Sequence, residues 1–162
     1  MTLRLRAVLP EDFAELYALD QACFAPGIAW SKAELGYFLK YPSNFGIVAL
    51  DHDSGIADSG IEDSGIAGFA IAGTQRRRGA LIGRLITIDV RAEMRRHGVG
   101  RQLIEAAEDR LRAAGAASIV LEVAVDNAAA QSFYERHGFA RTGRIPGYYL
   151  GRLDAFAMEK PL

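Results

Sequence analysis

Between Ala80 and His137 the hydrophobic pattern changes period three times, and few folds accommodate such a run. "ALIGRLITIDV", ending at Val90, reads as a buried strand. From Gly98 the pattern turns helical, with Val99, Leu103, Ala107 and Leu111 on one face and Gly115 placed as a left-handed C-terminal cap. Ser118 to Val125 is again a buried strand. Asn127 to His137 is a second helix with Ala130, Phe133, Tyr134 and His137 on one side, closed by Gly138.

The flanking segments supply more of both elements. "LRLRAV" (Leu3 to Val8) alternates as a strand, and Pro10, Glu11 and Asp12 open a helix with a preset φ and negative charge in its first turn. Ser31 and Glu34 have capping-box spacing ahead of Leu35, Phe38 and Leu39, and Pro42 stops that helix. Phe45 to Leu50, Ile66 to Thr74 and Ala80 to Val90 suggest an antiparallel meander. Two last strands, near Ala140 to Ile145 and Asp154 to Glu159, flank the turn "PGYYLGR". Seven strands and four helices in mixed order predict an α/β fold with a mixed, mostly antiparallel sheet. At 162 residues and 50% hydrophobic, the chain is expected to form one domain over 1–162.

A net charge of −1 gives no field to gather nucleic acid or an anionic membrane, so any phosphate must be held locally. No apolar run approaches the roughly 20 residues of a membrane span, and "MTLRLRAVLPEDF" lacks a signal peptide's apolar segment, so the expected location is cytoplasmic. Cys23 is alone and forms no internal disulfide; it reads either as a small buried hydrophobe or as a nucleophile. No Cys/His cluster has ligand spacing, and no metal is expected. His52, His97 and His137 stand in polar or helix-end contexts, and "RRR" (Arg76 to Arg78) reads as a solvated turn or as a substrate or phosphate site.

"DSGIADSGIEDSGIA", from Asp53 to Ala67, repeats a five-residue unit three times. Carboxylates every five residues do not match the alternating ligands of a calcium loop, and the composition suits a flexible hairpin loop over residues 51–65.

Two stretches carry chemistry. In "RRHGVGRQ", Gly98 and Gly100 leave backbone N–H groups uncovered at a helix N-terminus, with Arg95, Arg96 and Arg101 nearby. The stretch reads as an anion cradle or as an ordinary loop-to-helix turn. In "LEVAVDNAAAQSFYERHGF", Ile119, Leu121, Val123 and Val125 share one strand face and Ser118, Val120, Glu122 and Ala124 the other. Glu122 is then either an acid paired with an arginine or a carboxylate lining a cleft. Three residues of strand beyond Glu122 and seven of a returning helix each span about 10 Å, which brings Tyr134, otherwise a core tyrosine, back to the level of Glu122.

Together these stretches resemble the GNAT superfamily of N-acetyltransferases, and most of all the bacterial ribosomal-protein N-terminal alanine acetyltransferase group, from Leu3 to about Met158. The R-x-x-G-x-G signature corresponds to Arg95, Arg96, His97, Gly98, Val99 and Gly100. The N-x-x-A-x-x-x-Y-x-x-x-G-F segment corresponds to Asn127, Ala130, Tyr134, Gly138 and Phe139. The resemblance implies acetyl-CoA as cosubstrate, its pyrophosphate wrapped by residues 95–101 and its arm held along Ile88, Asp89 and Val90, with Asn127 touching the cofactor. It implies Glu122 as general base and Tyr134 as general acid, in a slot where the strands of Val90 and Glu122 splay. It implies a protein or peptide N-terminus as acceptor, a ribosomal protein among the candidates, lying between "CFAPGIAW" and "PGYYLGR" against Trp30, Tyr148 and Tyr149. Acetylation of a small amine or a lysine side chain, and a CoA-binding module without turnover, remain the competing expectations. The "DSGI" insertion departs from the family's short hairpin.

Overall fold

The alternating Leu3 and Leu5 form β1 (Leu3–Ala7) in the computed structural model, which describes residues 2–52 and 65–162. A 3-10 turn at Pro10–Asp12 follows. Asp12 accepts the Leu9 N–H at 2.7 Å and the Arg6 guanidinium at 2.7 and 2.9 Å, which ties the start of α1 (Phe13–Cys23) to β1. Ser31 Oγ accepts the Glu34 N–H at 3.1 Å, so the expected cap opens α2 (Lys32–Lys40).

The rest of the chain forms β2 (Asn44–Asp51), β3 (Ile66–Arg77), β4 (Ala80–Val90), α3 (Val99–Ala113), β5 (Ser118–Ala124), α4 (Ala128–Arg136), β6 (Ala140–Tyr149) and β7 (Leu153–Pro161). The sheet order is β1-β2-β3-β4-β5-β7-β6, with β4 and β5 parallel and every other neighbour antiparallel. The Asp51 N–H meets the Gly65 C=O at 2.7 Å across the ends of β2 and β3. The repeat loop expected between them falls on residues 53–64, outside the described residues.

Helices cover both faces of the sheet. On one side, Leu103, Ile104, Ala107 and Leu111 of α3 lie against small residues of β3, Ala67, Ala70 and Ala72. On the other, Leu16, Leu19 and Leu35 of α1 and α2 pack on Val48, Phe69 and Ile71. Burial of each large side chain contributes about 1.5–3 kcal/mol, which fixes β3 as the rigid centre.

Three local features differ from a regular sheet or from the expected turn. Thr87 pairs with Ile71 and Leu85 with Ala72, which leaves Ile86 as an extra residue that bends β4. β4 and β5 pair only at Gly83–Ile119 and Arg84–Val120, and beyond Arg84 the strands part. Finally, β6 continues through much of the expected "PGYYLGR" turn. Tyr149 still pairs with Leu153, after a register break where the Gly147 N–H donates to Asp154 Oδ1 at 2.9 Å instead of to the ladder.

Candidate active site

Where β4 and β5 part, a cleft of about 680 Å³ is lined by residues from both sides of the sheet. Gly100, Asn127, Phe133 and Tyr134 line it on the α3/α4 side. Asp20, Cys23, Phe24, Trp30 and Phe38 line it on the α1/α2 side, and Tyr148 and Tyr149 come from β6. Two reactants can therefore approach from opposite faces of the sheet and meet between its strands.

The wall on β4 offers backbone groups. The Arg91 N–H donates to the Ala67 C=O at 2.9 Å, and antiparallel alternation then turns the N–H and C=O of Asp89 toward β3 and those of Ile88 and Val90 toward the cleft. The Val90 carbonyl indeed accepts from Arg95 Nε at 3.2 Å and from Cys23 Sγ at 3.5 Å on that side. Beyond Val90 the loop takes left-handed backbone at Arg96 (φ +65°) and Gly98 (φ +81°), and no side chain caps the N-terminus of α3. A Cβ on Gly100 would stand 3.2 Å from the Phe133 ring, so glycine keeps the helix start and α4 in close contact.

The opposite wall carries Glu122, only 15% exposed in its side chain and paired with Arg84 at 2.7 Å. The same Arg84 nitrogen lies 3.2 Å from the Tyr148 hydroxyl. Both sequence readings of Glu122 therefore hold at once: it faces the cleft and it is ion-paired. Tyr134 lines the same cleft, its ring edge-on to Phe133 at 5.4 Å and to Phe139 at 5.6 Å. Burial above all pushes its phenol well above the ordinary value, so it stays protonated.

On the α1/α2 side Trp30 leans on Phe38 with ring centroids 4.7 Å apart, and its backbone N–H donates to Asp20 Oδ2 at 2.7 Å. Tyr148 and Tyr149 stand edge to face at 4.8 Å. Burial raises both phenols, that of Tyr149 to about 12. It also pushes up the Cys23 thiol, which keeps it a thiol rather than a thiolate at neutral pH.

Of the residues singled out from sequence, Glu122, Tyr134, Ile88, Val90, Arg95, Gly100, Asn127, Trp30, Tyr148 and Tyr149 converge on this cleft. Asn127 also caps α4, its Oδ1 accepting the Ala130 N–H at 3.2 Å. Arg96, His97 and Arg101 are exposed beside the α3 start, outside the cleft, and Gly98 turns the loop there. Val99 is 1% exposed and belongs to the core. Asp89 turns away; its buried side chain accepts the Thr87 hydroxyl at 2.6 Å. Sequence reasoning missed Arg84, Ile86 and Asp20, while Phe24 comes from the "CFAPGIAW" loop expected on the acceptor side. Strand alternation placed Arg84 on β4, but nothing local signalled its partner 38 residues on.

A model of the acetyltransferase (GNAT) family matches residues 13–139. The chain is 38% identical over 127 residues to N-alpha-acetyltransferase 30 of Schizosaccharomyces pombe, covering 78% of each protein. It is 40% identical over 81 residues to the [ribosomal protein bS18]-alanine N-acetyltransferase of Escherichia coli, covering 48% of this chain and 55% of that one. A crystal structure of the NatC complex bound to Gag peptide and CoA contains a chain that superposes with a TM-score of 0.84 at 27% identity, covering 100% of this chain and 99% of that one. The splayed strands, the uncapped α3 start and the extent of these similarities agree, and the chain belongs to the acetyltransferase (GNAT) family.

Proposed function

We propose that this enzyme transfers acetyl from acetyl-CoA to the N-terminal α-amine of a protein, with Glu122 as general base and Tyr134 as general acid. One observation carries the reading: the two groups line a single slot where β4 and β5 part, walled by residues from both sides of the sheet. The names of the relatives in Schizosaccharomyces pombe and Escherichia coli support the N-terminal acceptor.

The residues fit the cosubstrate. Free N–H groups at the start of α3, with Arg95, Arg96 and Arg101 beside them, suit a pyrophosphate, while the outward backbone groups of Ile88 and Val90 suit the amide-bearing arm. Asn127 stands at the same entrance. When bound there, acetyl-CoA supplies an activated acyl group.

An α-ammonium has a pKa near about 8 and must lose a proton before nitrogen can attack the acetyl carbon. Glu122 takes that proton, directly or through water, with Arg84 holding the carboxylate in place. As the C–N bond forms and the C–S bond breaks, Tyr134 donates its proton to the departing thiolate. An N–H at Ile88 or Val90 would meet the developing oxyanion of the acetyl group, a contact worth roughly 3–4 kcal/mol in acyl transfer. No acyl-enzyme is required, and Cys23 stays a bystander. Trp30, Tyr148 and Tyr149 form the acceptor's wall. A cytoplasmic location belongs to this same proposal.

The test is to incubate the protein with acetyl-CoA and peptides bearing free or blocked N-termini, ribosomal-protein N-termini among them, and to follow thiol release. Acetylation of free N-termini alone supports the proposal. Transfer to lysine or polyamine reassigns the acceptor, and CoA binding without release of thiol refutes catalysis.

A further inference from the structure

Two carboxyl groups used by no step above lie under the α1/α2 half of the cleft. Asp20 of α1 and Asp89 of β4 are each 1% exposed. Asp20 Oδ2 accepts the Trp30 N–H at 2.7 Å and Asp89 Oδ1 accepts the Thr87 hydroxyl at 2.6 Å. Asp89 Oδ2 is buried and has no donor among the described residues. The two side chains lie within hydrogen-bonding reach of each other.

Two buried carboxylates at such close range repel strongly, and a buried oxygen without a donor is costly. A single proton on Asp89 Oδ2, donated to Asp20, removes both costs. The neighbours agree with that placement. Tyr134 of α4 is neutral, Cys23 of α1 is a thiol, Glu34 of α2 disfavours a second negative charge at Asp20, and Arg95 beyond β4 is a cation acting on Asp89.

We propose that Asp20 and Asp89 share one proton, and that this bridge is a positioning tie which holds α1 and the Trp30 loop against β4 and so shapes the acceptor half of the cleft. Asp20 grips the loop through the Trp30 N–H and β4 through Asp89, whose neighbours Ile88 and Val90 present their backbone to the cleft. The bridge itself stands independently of acetyl transfer; its effect on the acceptor rests on the proposed function.

Carbon-13 NMR of the aspartate carboxyls in the wild-type protein tests the bridge directly. One carboxyl that stays protonated at neutral pH and vanishes from the spectrum of Asp89→Asn supports it; aspartates that are all ionised at neutral pH overturn it. The positioning role is read from Trp30, the chain's single tryptophan. Asp89→Asn keeps a donor toward Asp20, so acrylamide quenching of Trp30 and the acceptor KM stay near wild type. Asp89→Ala removes the donor, so quenching rises and the acceptor KM increases about tenfold, the equivalent of one buried hydrogen bond, while CoA affinity holds. Asn behaving like Ala overturns the tie. If no acceptor is acetylated, the proposed function fails, and NMR and quenching still decide the bridge.

Discussion

Replacing Tyr134 by Phe separates catalysis from folding more cleanly than any other change in the cleft. The ring keeps its edge-on contacts with Phe133 at 5.4 Å and Phe139 at 5.6 Å, and the hydroxyl has no hydrogen bond among the described residues. Stability should therefore change by less than about 1 kcal/mol. Loss of the proton donor should lower kcat by about 10²- to 10⁴-fold, or about 2.7–5.5 kcal/mol of barrier. Burial makes the phenol a weak acid, but the same desolvation raises the proton affinity of the departing thiolate, so the pair stays matched. The assay compares two acetyl donors, acetyl-CoA and an acetyl thioester of an acidic aromatic thiol. The aromatic thiolate leaves without a proton, so Tyr134→Phe should be nearly as fast as wild type with that donor. Equal losses with both donors, or no loss with acetyl-CoA, would refute the acid role.

Three further changes test the scaffold. A Cβ on Gly68 would stand 2.6 Å from the Asp89 carbonyl oxygen and 3.1 Å from Val99, so Gly68→Ala should lose about 1–3 kcal/mol in urea unfolding. The side-chain hydrogen bond from Arg6 holds Asp12 below the usual carboxylate range; that stability is present above the unfolded pKa of about 3.9 and is lost as pH falls through the lower folded value. Asp12→Asn should cost about 1.5–3 kcal/mol at neutral pH and flatten the acid limb of stability. Burial raises Asp89, so the sign reverses: stability falls as pH climbs from the unfolded pKa toward the folded one, and Asp89→Asn should flatten that decline in thermal melts.

The elements were legible because each is written in a local period. The stripe of Val99, Leu103, Ala107 and Leu111 on α3 and the alternation around Glu122 survive in the fold almost unchanged. What was not legible depends on contacts between distant segments. The alternation in "LITIDV" conceals the extra residue at Ile86, because only pairing with Ile71 and Ala72 reveals it. Nothing near β5 indicates that β7 will lie between it and β6, since that order is set by pairing residues such as Leu121 with Met158. Asp89 sat in a stretch matched to cofactor contacts, yet its side chain faces Thr87 and Asp20 because the bulge resets which residues face α1. Glu122 and Tyr134 were found because strand rise and helix rise suffice to bring them level, whereas Arg84 needed the β4–β5 register to meet Glu122.

The most direct test of the mechanism is thiol release from acetyl-CoA by Glu122→Gln at neutral pH, with saturating free-N-terminus peptide and CoA affinity measured on the same protein. Glutamine keeps the size and polarity of the side chain but cannot accept the amine's proton. Turnover should fall by about 10²- to 10⁴-fold while CoA affinity stays within about twofold of wild type. Wild-type turnover in Glu122→Gln, or a loss explained by weakened CoA binding, would contradict the assignment of Glu122 as the base.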